Sequence, residues 1–80
     1  MNTDILDAIY AGEIFRVVFK RQRDQEFRSA TGYILPQHRP IEMRKPDIIV
    51  YYDLGIMAIR SFRIDSVASI RMMKHEHLFE

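Results

Sequence analysis

The sequence predicts a mainly β fold behind one short helix. Apolar residues alternate with polar ones at period two in five short segments after residue 13, turn-forming residues separate them, and only residues 4–11 carry a helical pattern. An open sheet of such short strands would leave two edges exposed and bury little, whereas a strongly bent sheet encloses a core. The expected class is an SH3-like small five-stranded barrel, with a short N-terminal α-helix covering one open end.

Each element has its own signal. Thr3, Asp4 and Asp7 supply a cap and negative charge to a helix start, Ile5, Leu6 and Ile9 share one side, and Gly12 stops the helix. In EIFRVVFKRQ, Phe15, Val17 and Phe19 fall on one face and Arg16, Val18 and Lys20 on the other. RDQ is a polar turn. EFRSATGYI returns with Ala30, Gly32 and Ile34 on one face, Gly32 marking a bend or a close backbone approach. Pro36, Pro40 and Pro46 rule out a central strand and predict a long exposed loop. DIIVYYD is β-branched and aromatic, and the following DLGI makes a turn in which Gly55 is available for positive φ. MAIRSFRI completes that hairpin. After DSV, a short last strand places Ala68, Ile70 and Met72 on one face. The barrel is expected over about residues 13–73 of a single domain spanning 1–80, with a short tail behind it.

Eighty residues build one thin core, and 48% apolar with 29% charged residues is the balance of a chain that folds rather than one that stays disordered. No cysteine is present, so thiol and disulfide chemistry are excluded, which fits a reducing compartment. No apolar run reaches the roughly 18 residues of a membrane span, and acids stand where a signal peptide carries bases. A cytoplasmic protein with no membrane partner is expected. The net charge of +1 conceals an arrangement: all twelve bases lie between Arg16 and Lys74 against six acids, so this middle section carries +6 between acidic ends. Nine of the twelve are arginine, whose planar fork suits phosphate and carboxylate. This section is read either as a solvated sheet surface or as an anion-binding face.

FRVVFKRQRDQEFRSATGYIL followed by IIVYYDLGIMAIRSFRIDSVASI resembles the SH3 β-barrel fold-containing proteins of unknown function carried by phages and mobile elements of gut bacteria, over about residues 4–72. The matching features are Gly12 and Glu13 after the helix, the basic hairpin Lys20 to Arg28, Tyr52 and Asp53 at a strand end, and Ile59 to Arg63. The tail IRSFRIDSV is also similar to the closing strand of WYL domains, with Arg60, Phe62, Arg63 and Asp65 on the motif. That likeness implies a regulatory barrel that senses nucleic acid or a nucleotide through basic and aromatic residues. The chain departs from the WYL pattern at Ile59, where an aromatic residue is usual, and at IVYYD in place of the Trp-Tyr-Leu run.

Several constellations bear on function. Strand alternation puts Arg60 beside Phe62 and Ile64 and sends Arg63 to the opposite face. An inward arginine needs a partner, either Asp53 or Asp65 as a structural ion pair, or a bound anion at the barrel mouth. Asp65 can also cap the turn at Ser66 and Val67. Lys20, Arg21, Arg23 and Arg28 surround Phe27, which is either core or a stacking surface. Arg39, Arg44 and Lys45 form a second cluster on the proline loop. His75 and His77 have the spacing of two metal ligands without further ones, so no metal site and no cofactor is predicted. Ser61, Ser66 and Ser69 lack a nucleophile-elbow context and no phosphate-cradling glycine loop exists, so no enzyme is expected. Met43, Met57, Met72, Met73, Leu78 and Phe79 exceed what so small a core can take up, pointing to self-association or a protein partner.

The function expected is a binding module for an anionic ligand, nucleic acid or nucleotide, carried by Arg28, Tyr52, Arg60 and Arg63, and acting as a homo-oligomer in a phage or mobile-element setting. The competing expectation is an interaction module that grips a host or phage protein through its apolar edge and proline loop.

Overall fold

The computed structural model describes residues 3–39 and 47–73. It contains helix α1 (Thr3–Tyr10) and strands β1 (Phe15–Lys20), β2 (Phe27–Tyr33), β3 (Ile48–Asp53), β4 (Ala58–Arg63) and β5 (Val67–Met72), with single 3-10 turns at Pro36–His38 and Ile64–Ser66. The strands form one antiparallel sheet in the order β4-β3-β2-β1-β5.

Gly12 ends the helix as its position implies. It adopts φ 96°, its N–H donates to the Ile9 carbonyl (2.9 Å), and the Glu13 N–H reaches back to Ala8 (3.2 Å). This paired closure satisfies carbonyls that the last helical turn leaves open. Packed against β5, α1 delivers Ile9 to the core, with Ile5 and Tyr10 partly covered beside it.

The core is the inner face of the sheet. Phe15, Val17 and Phe19 from β1, Ala30 from β2, Ile34 just beyond it, Ile49 and Tyr51 from β3 and Phe62 from β4 are all buried. Phe62 packs edge-on to Phe15 (6.2 Å), tilted against Tyr51 (5.4 Å) and stacked on Phe19 (5.5 Å). Strands β1 and β4 are separated by two others in the sheet, so these contacts require the sheet to curl over itself. Among the described residues β4 and β5 share no ladder, and the hydrogen-bonded sheet stays open between them.

Strand β2 is where the sheet folds. Six residue pairs join it to β1, but only Gly32 with Asp53 and Tyr33 with Tyr52 join it to β3. A Cβ on Gly32 would fall on the Tyr52 carbonyl oxygen and within 2.9 Å of the Tyr51 ring, so the expected close approach is present and requires glycine.

Two expectations are corrected. Ala68 does not join Ile70 on the inner face: β1 pairs Val18 with Ser69 but Phe19 with Val67, which leaves Ala68 as the extra residue of a bulge. Val67, Ile70 and Met72 therefore turn toward the core together, while Ala68 is exposed. In the β3–β4 turn the positive φ belongs to Met57 (55°), not to Gly55. Asp53 shapes this turn, its buried carboxylate accepting from the Gly55 N–H (2.8 Å) and the Ile56 N–H (3.4 Å), while the Met57 N–H closes on the Asp53 carbonyl (2.8 Å). With the first turn residues tied by the side chain, the left-handed step falls on the last one.

Candidate functional site: a basic groove

A groove of about 430 Å³ opens between the tip of the β1–β2 hairpin and the end of the β3–β4 hairpin. Phe19 and Phe62, the stacked pair, contribute to its lining. Lys20, Arg21 and Arg23 from the hairpin tip, Arg28 from β2, and Arg60 and Arg63 from β4 line it, and among the described residues no acidic one does. Two basic groups more than thirty residues apart in the chain thus face one space.

Register explains how they meet. Arg28 is opposite Phe19, and Arg60 is opposite Tyr51, so both arginines belong to the inner face of the sheet. They lie where the core gives out, Arg28 half-buried and Arg60 exposed. Burial pushes the Tyr51 hydroxyl up to about 12, the Asp53 carboxylate adds to the rise, and the Arg60 and Arg28 charges pull against it. Both guanidiniums therefore act on the same phenol ring.

The cations differ in what already holds them. Arg21 pairs with Asp24 (2.6 Å) and lies 3.7 Å from Glu26. The Glu26 N–H, donating at 3.1 Å, and then Arg21 hold the Asp24 carboxyl below the usual range. Arg63 pairs with Asp65 through Nε (3.2 Å) and Nη2 (3.3 Å), which lowers the Asp65 carboxyl and raises the guanidinium. Lys20 sits over the Phe27 ring, its Nζ 5.8 Å from the centroid. Among the described residues, Arg23, Arg28 and Arg60 have no acidic partner within salt-bridge distance.

Three of the four expected site residues thus come together, Arg28, Arg60 and Arg63, and Tyr52 does not join them. Tyr52 faces the outer side of the sheet, between Tyr33 on β2 and Ile59 on β4, its ring 5.8 Å from that of Tyr33. The expected ion pair of Arg60 with Asp53 or Asp65 is not formed. Asp53 is at the turn end of the hairpin and committed to backbone N–H groups, Asp65 holds Arg63, and on an edge strand Arg60 is free to extend into solvent. The Ile64–Ser66 turn lacks a side-chain cap at its start and is closed by the Ser66 hydroxyl donating to the Arg63 carbonyl (2.6 Å), not by Asp65. Arg39 is remote, its guanidinium filling the space over Gly12. Arg44, Lys45, Met43, His75, His77, Leu78 and Phe79 lie outside the described residues.

Phe27 resolves toward exposure, with 65% of its surface open. Ile48, Ser61 and Ser66 also line the groove, and no local sequence pattern marks them for it, because only the curl of the sheet brings them to the hairpin tip. Compared with protein-family models, with curated proteins and with solved structures, the chain matches none.

Proposed function

We propose that the chain is an SH3-like small barrel whose basic groove binds a phosphate-bearing ligand, nucleic acid or nucleotide. The barrel reading is supported by the antiparallel order, by the curl that stacks Phe19 on Phe62, and by the single 3-10 turn that carries β4 into β5. One observation carries the functional reading: six cations from two separate hairpins converge on one groove, two of them held by Asp24 and Asp65, and among the described residues no carboxylate lines it. Arg28 and Arg60, which have no acidic partner among the described residues, lie at the edge of the apolar core, where like charges cost self-repulsion that a polyanion removes. The aromatic floor of Phe19 and Phe62 keeps one side of the groove apolar, so charges on its rim are less screened than on an open surface.

Binding of labelled nucleic acid and of nucleotides, followed by anisotropy across salt concentrations, tests this. Affinity that falls steeply with salt and is abolished in Arg28→Glu and Arg60→Glu is the expected result. No binding at low salt overturns the reading.

A second reading has an observation of its own. Leu54, Ile56, Met57 and Ile59 are exposed at the β3–β4 turn beside the edge of β4 that pairs with no other strand among the described residues, a surface suited to a protein partner or a second copy of the chain. Capture of a partner that survives nuclease digestion and requires Ile59 supports it.

A further inference from the structure

We infer that the ligand of the groove is a single-stranded nucleic acid, with one base stacked on Phe27 and the adjoining phosphates lying among Arg28, Arg60 and Lys20. The inference rests on the anion-binding reading above and adds to it the form of the polyanion.

Phe27 is the observation that the groove's charges do not explain. It is the most exposed aromatic side chain of those described, at 65%, and belongs to the first residue of β2. The alternation of β2 turns Phe27 outward and Arg28 inward, so ring and guanidinium flank the same strand end. Across the ladder Phe27 faces Lys20, whose ammonium sits over the ring while the same residue lines the groove. The ring therefore stands at the rim of the basic surface. Its ladder partner Lys20, its chain neighbours Glu26 and Arg28 and the outer-face residue Ser29 are polar, Val18 is the apolar residue diagonal to it on that face, and the ring still stays 65% exposed.

The three forms of polyanion use such a surface differently. A duplex keeps its bases stacked inward and presents only backbone, leaving the Phe27 ring with nothing to meet. A chain of inorganic phosphate fills the groove and gains nothing from the ring. An unpaired strand offers a π-face at the rim and phosphates spaced along the groove, which engages both at once. The cations are also spread over the hairpin tip, β2 and β4, a distribution suited to several phosphates in a row.

The full chain is titrated with labelled oligothymidylate, with a duplex of the same length and with inorganic polyphosphate, as wild type, Phe27→Ala and Phe27→Tyr. Because Phe27 is outside the core, the alanine variant keeps the fold, which circular dichroism verifies. Single strand is expected to bind more tightly than duplex, and Phe27→Ala to weaken single-strand binding about tenfold or more while polyphosphate binding is unchanged. Phe27→Tyr, which keeps the ring, is expected to retain the wild-type affinity. Equal binding of single strand and polyphosphate with no effect of Phe27→Ala overturns the inference and leaves the anion-binding reading standing. So does a preference for duplex, or an equal weakening on every polyanion. Failure of all three to bind removes both.

Discussion

Phe19 and Phe62 lie nearly parallel, 5.5 Å apart with 21° between their planes, although β1 and β4 are separated in the sheet by β2 and β3. This stack holds the sheet curled and also forms part of the groove lining between the two hairpins. Core and candidate site are thus one construction, and changes to the pair act on both.

Phe62→Ala removes the ring that meets Phe15, Phe19 and Tyr51 at once. A buried phenylalanine truncated in this way costs about 3–5 kcal/mol. A single thin core has little stability to spare, so the variant is expected to be largely unfolded at room temperature. Circular dichroism measures this, and a double-mutant cycle on the milder changes Phe62→Leu and Phe19→Leu, followed by urea denaturation, is expected to return a coupling of about 0.5–1.5 kcal/mol for the stacked pair. Additive effects of the two changes would show that the stack carries no energy beyond burial.

Met57→Gly is expected to stabilise the protein by about 0.5–1 kcal/mol. Met57 holds φ 55° at the end of the β3–β4 turn with 74% of its surface exposed, so glycine relieves the strain and gives up almost no burial. Gly12→Ala runs the other way, because φ 96° strains any L side chain and the methyl group would also displace the Arg39 guanidinium. Denaturation midpoints of the two variants, displaced in opposite directions from wild type, check both.

The part of the fold legible in the sequence is the part that strand alternation and local turn chemistry determine. The inward sets Phe15, Val17, Phe19 and Ala30, Gly32, Ile34 follow from period two alone, and the two glycines announce their roles, Gly32 where the Tyr52 backbone leaves no space for a side chain and Gly12 where the helix ends on positive φ. The Ala68 bulge is hidden because it depends on the register between β1 and β5, which no local pattern records. The groove is half legible. Its hairpin cluster and its Arg60–Arg63 cluster are each visible in the sequence, but their meeting depends on the curl set by Phe19 and Phe62. Alternation places Arg60 on the inner face correctly; it does not reveal that the core ends before the guanidinium begins, which is why it points to an ion pair there.

Stability is expected to fall at alkaline pH through Tyr51. Its hydroxyl titrates at about 12 in the folded chain against 10.0 ordinarily, so the folded state keeps a proton that the unfolded state releases. The contribution is fully present below pH ~10 and is lost as pH rises to ~12, amounting to roughly 2–3 kcal/mol across that window. Tyr10, whose hydroxyl is also raised by burial, acts in the same direction. Unfolding free energies measured through this window should decline in wild type and decline less in Tyr51→Phe, which has no hydroxyl to ionise. A profile unchanged by the substitution would assign the decline to other groups.

Arg63 and Arg60 line the same groove but differ in commitment, and this sets their expected contributions to binding. Asp65 holds Arg63 through two hydrogen bonds, whereas Arg60 has no acidic partner among the described residues. Arg60→Gln is therefore expected to weaken polyanion binding more than Arg63→Gln, because the free guanidinium gives its full charge to the ligand. Asp65→Ala releases Arg63 and removes a negative charge from the rim, so affinity should rise severalfold at low salt and the gain should shrink as salt screens it. Each phosphate that a variant no longer neutralises should also flatten the dependence of log K on log salt by about 0.7 for a single strand. Anisotropy titrations of the three variants over a salt series give both quantities. Equal weakening by the two arginine substitutions, with no gain from Asp65→Ala, would mean that the Arg63–Asp65 pair opens at no cost when the ligand arrives.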